Sequence, residues 1–240
     1  MKVEGGFMLF DFCFYVLLFF IYSFIGYMVE MIRVSIMEKK LVLSRGYLIG
    51  PYLPIFGFGG CLMVLLLSKY QGDNIVIFIL SIVICCSLEY FTSYLMEKIF
   101  KLRWWDYSNR KLNINGRICL ENGIYFGISG VCLLSFLNPF VSNLIYDLDN
   151  NVLYILGIGV FIVMLGDFII STISTLRLKL DTDMYSNIDA TSRIKKEVFD
   201  SLRKYMFFYK RIFAAFPYIT KSKNMKKMEK TVKKIEEKEE

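Results

Sequence analysis

Eight charged side chains stand in or beside apolar runs, where ordinary packing supplies no reason for them: Glu30, Arg33, Arg45, Glu89, Asp106, Arg117, Glu121 and Asp167. A carboxylate at membrane depth costs several kcal/mol unless a partner or water accompanies it, so acids in such positions are candidate ion or proton sites. Arginine keeps its charge at any ordinary pH and is suited to clamping carboxylate or phosphate groups. Counting about 1.5 Å per residue from the basic ends of their helices places Glu89 about 10 Å deep, Asp167 about 9 Å and Glu121 about 5 Å, with Glu30 at the boundary. Similar depth predicts one polar cavity, with Arg33, Arg45 and Arg117 beside it. Each acid taken singly also fits a structural ion pair. Other chemistries are excluded by residue type. The chain has no histidine, and Cys13, Cys61, Cys85, Cys86, Cys119 and Cys132 form no CxxC spacing, so a Cys/His zinc site or a His-based triad cannot be built. Buried structural thiols are the expectation, with no metal and no cofactor.

The elements that must hold these residues are membrane helices. The 240 residues are 55% hydrophobic and 17% aromatic, with a mean hydropathy of +0.47, above the roughly 45–50% apolar content of soluble domains. Four runs are long enough to cross about 30 Å of hydrocarbon, and a fifth qualifies if Pro51 and Pro54 are tolerated near its start. The fold class is therefore all-α and polytopic, with about five transmembrane helices over 7–29, 47–67, 75–96, 118–136 and 152–173, forming a domain from 1 to 176. The first run is too long for a signal-peptide core and is expected to be a retained helix, with Asp11 in its first turns. Gly46 and Gly50 permit close backbone approach or a locally broken helix before the second span. Trp104, Trp105 and Tyr107 suit the headgroup level at the mouth of the fourth.

Charge is distributed unevenly. Beyond Leu176 there are 17 Lys and Arg against 10 Asp and Glu, while the membrane portion is balanced, so the net charge of +7 belongs to a basic tail over 177–240. Within it, Ile194, Val198, Leu202, Met206, Tyr209 and Phe213 share one face of a helix expected over 190–215. That face suits either the inner leaflet of the lipid bilayer or the protein's own loops. Nothing accompanies the charge that would read nucleic acid. Basic residues cluster between the first and second runs and between the third and fourth. The positive-inside rule then sets the amino terminus outside and the tail in the cytoplasm of a multi-pass cell-membrane protein.

Four ordered stretches, YSFIGYMVE, SRGYLIGPYLPIFGFGG, WWDYSNRKLNINGRICLENGIYFG and FPYITKSK, resemble the bacterial family of CmpB-type ABC transporter permeases. The resemblance runs to about Lys223 and points to Glu30, Arg45, Gly46, Gly50, Pro51, Pro54, Glu89, Trp105, Asp106, Tyr107, Arg117 and Glu121. It implies a permease-like transport subunit served by a separate ATPase, because no GxxxxGK[ST] phosphate cradle is present. The EAA-type loop with which importer permeases engage an ATPase is not found either. Five helices make a small pathway, so a homodimer is expected. Two alternatives remain at this stage: an inner-leaflet enzyme using Glu and Arg in acid–base chemistry, and a non-catalytic sensor or assembly factor.

Overall fold

The computed structural model describes residues 3–39, 46–186, 192–216, 218–219 and 223–236. Eight α-helices follow one another among these: α1 (Val3–Glu38), α2 (Pro54–Leu67), α3 (Asn74–Phe100), α4 (Leu120–Cys132), α5 (Asn138–Tyr146), α6 (Asn150–Ser186), α7 (Ser192–Ala215) and α8 (Lys223–Glu236). No strand occurs among the described residues. The chain is an all-α polytopic membrane protein, with four helical stretches long and apolar enough to cross a bilayer: Met8–Ile36, Asn74–Phe100, Leu120–Tyr146 and Asn150–Met184. A shorter apolar stretch, Pro54–Tyr70, lies between the first two.

The second helix starts later than the sequence suggested. Pro54 occupies the first turn of α2, where its missing N–H and fixed φ are tolerated. A proline also disfavours helical backbone in the residue before it, and the 46–53 segment ahead of it is non-helical. α1 and α2 approach closely because α2 presents glycine there. A Cβ on Gly57 would stand 2.2 Å from Ser23 Oγ and 2.7 Å from the Phe19 carbonyl. Gly130 does the same for α3 and α4, where a Cβ would lie 2.0 Å from Ser81 Oγ. These contacts follow the small-residue logic of helix association in lipid, where burial from water supplies no drive.

α3 opens on Asp73, whose side chain accepts from the Val76 amide at 3.0 Å and satisfies one of the orphan donors of the first turn. The stretch from Leu120 to Tyr146 is one rod interrupted by a π-helical turn at Leu133–Leu137. Pro139 accounts for that turn, because its nitrogen cannot donate to the preceding turn and its ring crowds the carbonyl there. Just beyond it, Asn138 accepts from Tyr22 at 2.8 Å and from Ser142 at 3.1 Å, tying the rod to α1. At the same end of the molecule, Phe14 stacks on Tyr146 with ring centroids 4.8 Å apart.

α6 has 37 residues, about 55 Å at 1.5 Å per residue, and so outruns a hydrocarbon core of about 30 Å. Its last turns bury Leu178, Asp181 and Thr182 at a second core, separate from the one that α1 to α5 share. Phe100, Trp104, Leu202, Tyr209, Phe213 and Met228 fill the same core. Part of the tail's apolar stripe packs on the protein itself. Leu202, Tyr209 and Phe213 are fully or almost fully buried against protein, not laid on lipid. The side chains of Ile194 and Val198 lie outside the described residues, as does Pro217. Trp104 is likewise not a headgroup anchor: it is 2% exposed and meets Phe216 edge-on at 4.6 Å.

Candidate functional site

Two buried carboxylates in membrane helices are surrounded in very different ways. Asp167 on α6 receives four donors. Its Oδ1 accepts from the Ile49 amide at 2.8 Å and the Ser171 hydroxyl at 3.0 Å. Its Oδ2 accepts from the Gly50 amide at 2.8 Å and the Tyr52 hydroxyl at 2.7 Å. A carboxylate so saturated is a stable anion, since charged hydrogen bonds are the strong ones. The same segment is gripped from its carbonyl side. Arg211 of α7 donates to the Tyr47 carbonyl at 2.7 Å, to the Gly46 carbonyl at 3.3 Å and to the Leu48 carbonyl. Burial pushes the Arg211 guanidinium down from its usual range, opposed by the Asp167 charge. Residues 46–53 are thus held between an acid of the membrane bundle and a base of the tail.

Glu89 lies on the buried face of α3 together with Ser81, Cys85 and Ser93, spaced by four residues. It is 6% exposed. Its Oε1 accepts from the Tyr107 hydroxyl at 3.2 Å and from Asn122 Nδ2 at 3.3 Å, both long contacts. Its Oε2 is buried and has no hydrogen-bond partner among the described residues. Glu30 and Arg33 on α1 act on it electrostatically, and they also bond to each other. Arg33 grips Glu30 bidentately, at 2.9 and 2.8 Å. Burial, then the adjacent Glu89 carboxyl, holds the Tyr107 phenol above its ordinary range.

The 101–119 segment forms the lid of this mouth. Left-handed backbone at Lys101, Leu112, Asn115 and Gly116 turns it back on itself. Trp105 Nε1 donates to the Arg117 carbonyl at 3.1 Å. Arg117 reaches Glu97 at 2.7 Å and Ser93 Oγ at 3.0 Å, and lies over the rings of Tyr90 and Tyr94. Asp106 accepts from the Ser108 amide and hydroxyl and from Tyr218, which ties the lid to the tail. Burial would raise the Asp106 carboxyl, but the Ser108 and Tyr218 hydrogen bonds and the Arg103 charge outweigh it and hold it at about 2.

The acids expected to share one cavity therefore divide. Glu30, Arg33, Glu89 and Glu121 stand near one another at the mouth between α1, α3 and α4. Asp167 has an entirely different set of partners. Glu121 is half exposed and pairs with Arg110 at 3.1 Å, not with Arg117. Arg45 lies outside the described residues. Pro51 is exposed and Pro54 half-buried, flanking the held segment. Asn122, Tyr52, Arg211 and Tyr218 escaped sequence reasoning. The available signal was positional for Asn122, next to Glu121, and for Arg211, a base set directly against the buried pair Ile212 and Phe213.

The tail-to-lid link gives a measurable pH dependence. Because the folded value of Asp106 is depressed, its contribution is complete above the ordinary carboxylate range and is lost as pH falls through about 2. Tyr218→Phe should lower unfolding stability by about 1 kcal/mol near neutral pH. That difference should vanish in strong acid, as read by thermal unfolding across a pH series. A difference that persists in strong acid would refute the link.

Long apolar helices, a polar mouth at one end and a tail folded back over that end define a polytopic membrane protein with its tail packed on one end of the bundle. Residues 17–172 match the family described as putative ABC-transporter type IV, and the chain belongs to it. No curated protein and no solved structure matches the chain. The family and the apolar helices together support a membrane transport protein.

Proposed function

We propose that this chain is the membrane subunit of an ABC-type transporter that moves an ion or small polar solute through the mouth at Glu89, with ATP hydrolysed by a separate subunit. The observation that carries this reading is the near-complete burial of Glu89 in a membrane helix with one oxygen unpartnered among the described residues. Intramembrane ionisable groups of this kind mark substrate pathways by default. The reading is tested by isolating the protein from its native membrane and reconstituting it. An ATPase should co-isolate, and flux of the cargo ion or solute should depend on ATP. Isolation without any ATPase, together with flux indifferent to ATP, would remove the ABC half of the proposal. A homodimer would supply the helices that one chain lacks for a full pathway.

The orientation belongs to the same proposal. Residues 46–48, the basic 101–119 segment and the tail lie together at one end of the molecule, since Arg211 bonds to the 46–48 carbonyls and Tyr218 to Asp106. The positive-inside rule makes that end cytoplasmic. In a background without native cysteines, Asn109→Cys should resist an impermeant maleimide in intact cells and Asn150→Cys should react. Labelling at Asn109 would reverse the assignment.

A further inference from the structure

The protein contains its own reference for what an ionised buried carboxylate looks like. Asp167 takes four donors between 2.7 and 3.0 Å, shared over both oxygens. Glu89 takes two, at 3.2 and 3.3 Å, both on Oε1, and none of the described residues donates to Oε2. The charged groups that face it from neighbouring elements do not replace the missing donors. From α1 come Arg33 and Glu30, bound to each other as a bidentate pair, and from the lid comes Tyr107, whose hydroxyl is already counted. The titratable neighbours on α3 itself are the thiols Cys85 and Cys86. α4 contributes Asn122, which is neutral, and Glu121, an acid that acts on Arg33 and pairs with Arg110 and so supplies no donor.

A buried anion needs its lone pairs met, whereas a neutral acid tolerates a sparse shell far better. A metal cation is poorly served here as well. Among the described residues, no group of three His, Cys, Asp or Glu side chains could hold one, and hard cations take about six or more oxygen ligands.

Resting on the transport reading above, we infer that the species Glu89 holds is a proton, so that in this conformation it stands as a neutral carboxylic acid. Its exchange is simple: the acid gives its proton to water when the Tyr107 and Asn122 side moves away, and regains one from water on the other side of the cycle. Tyr107 and Asn122 are positioning residues that orient Oε1.

Dicyclohexylcarbodiimide adds to protonated carboxyls in apolar surroundings and so reads this state directly. The full-length protein in lipid nanodiscs would be treated at acidic, neutral and alkaline pH and mapped by mass spectrometry. Glu89 should be modified at acidic and neutral pH, with the adduct falling several-fold in alkali, and excess sodium should not protect it. Asp167 should stay unmodified throughout. A folded protein in which Glu89 never reacts, or in which sodium blocks the reaction, would overturn the inference. Glu89→Asp, which keeps the acid, should retain labelling, and Glu89→Gln should lose it without loss of folded yield. Flux measured in parallel separates the two claims. If Glu89→Gln abolishes flux although wild-type Glu89 does not label, the site works on something other than a proton. If Glu89 labels but Glu89→Gln transports normally, the proton is held and the transport reading of this site is wrong.

Discussion

Glu89→Gln protein is expected to insert and fold like the parent and to carry at least a hundred-fold less flux. Glutamine keeps the length of the side chain and an amide oxygen that can accept from Tyr107 and Asn122, so the packing on α3 is preserved. What it cannot do is change its charge. Because Glu89 is itself neutral in this conformation, a neutral amide of the same length changes the burial cost little, and the folded yield should match that of the parent. Glu121→Gln supplies the contrast. Its pair with Arg110 is about half exposed on both sides, and such pairs contribute about 0–1 kcal/mol. Flux and yield should both survive that change. Arg117→Gln should not compensate Glu121→Gln, because the carboxylate facing Arg117 is Glu97 at 2.7 Å. Wild-type flux from a well-folded Glu89→Gln protein would falsify a working carboxylate at this position.

A second substitution should act on stability instead. Asp167→Ala removes the acceptor for two backbone amides, the Tyr52 hydroxyl and the Ser171 hydroxyl at once. Donors left unsatisfied in a buried setting cost about 1–3 kcal/mol each, and deleting one partner of a buried charged cluster typically costs about 3–5 kcal/mol in all. Against a total stability of about 5–15 kcal/mol, a large share of the stability should disappear. Asp167→Asn should recover less than half of it, since its amide nitrogen would turn a donor toward donors. Arg211→Ala releases the same segment on its carbonyl side, so the double variant should lose less than the sum of the two singles. Thermal unfolding in detergent with a fluorescent reporter measures all four proteins. A melting curve for Asp167→Ala within about 1 kcal/mol of the parent would show that the clamp is dispensable.

The membrane helices were legible in the sequence because hydropathy over about twenty residues reports a one-dimensional property, the length of apolar chain needed to cross lipid. The grouping of the acids was not, because depth along an axis says nothing about direction around it. Glu89 and Asp167 fall at similar depths yet point to different neighbours. Helical period carried the missing information in part: Ser81, Cys85, Glu89 and Ser93 recur every four residues, as Asp167, Ser171 and Thr175 do on α6. The tail shows a different limit. A stripe of Leu202, Tyr209 and Phe213 predicts an apolar face but not what covers it. The distinguishing mark was Asp181, 5% exposed, which accepts from Tyr209 and Ser201 at 2.7 Å each. A lipid surface would offer those hydroxyls no such fixed partner. Residues 46–53 eluded a helix-based reading for a related reason: their backbone groups are met by side chains more than a hundred positions away.

That separation has a consequence for how the protein is made. Asp167 follows Ile49 by 118 residues, so at about 5–20 residues per second of synthesis the amides at 49 and 50 wait roughly 6 to 24 s for their acceptor. Arg211 follows Gly46 by 165 residues and arrives later still. Through that interval the stretch leading into α2 has neither of its fasteners, and the apolar stretch behind it, Pro54–Tyr70, is shorter than the four long ones. Ribosomal pausing before Asp167 would prolong the interval, and a chain terminated there would never end it. Residues 46–53 are therefore fastened only late in synthesis, and completion of α7 is what supplies the last of their long-range bonds.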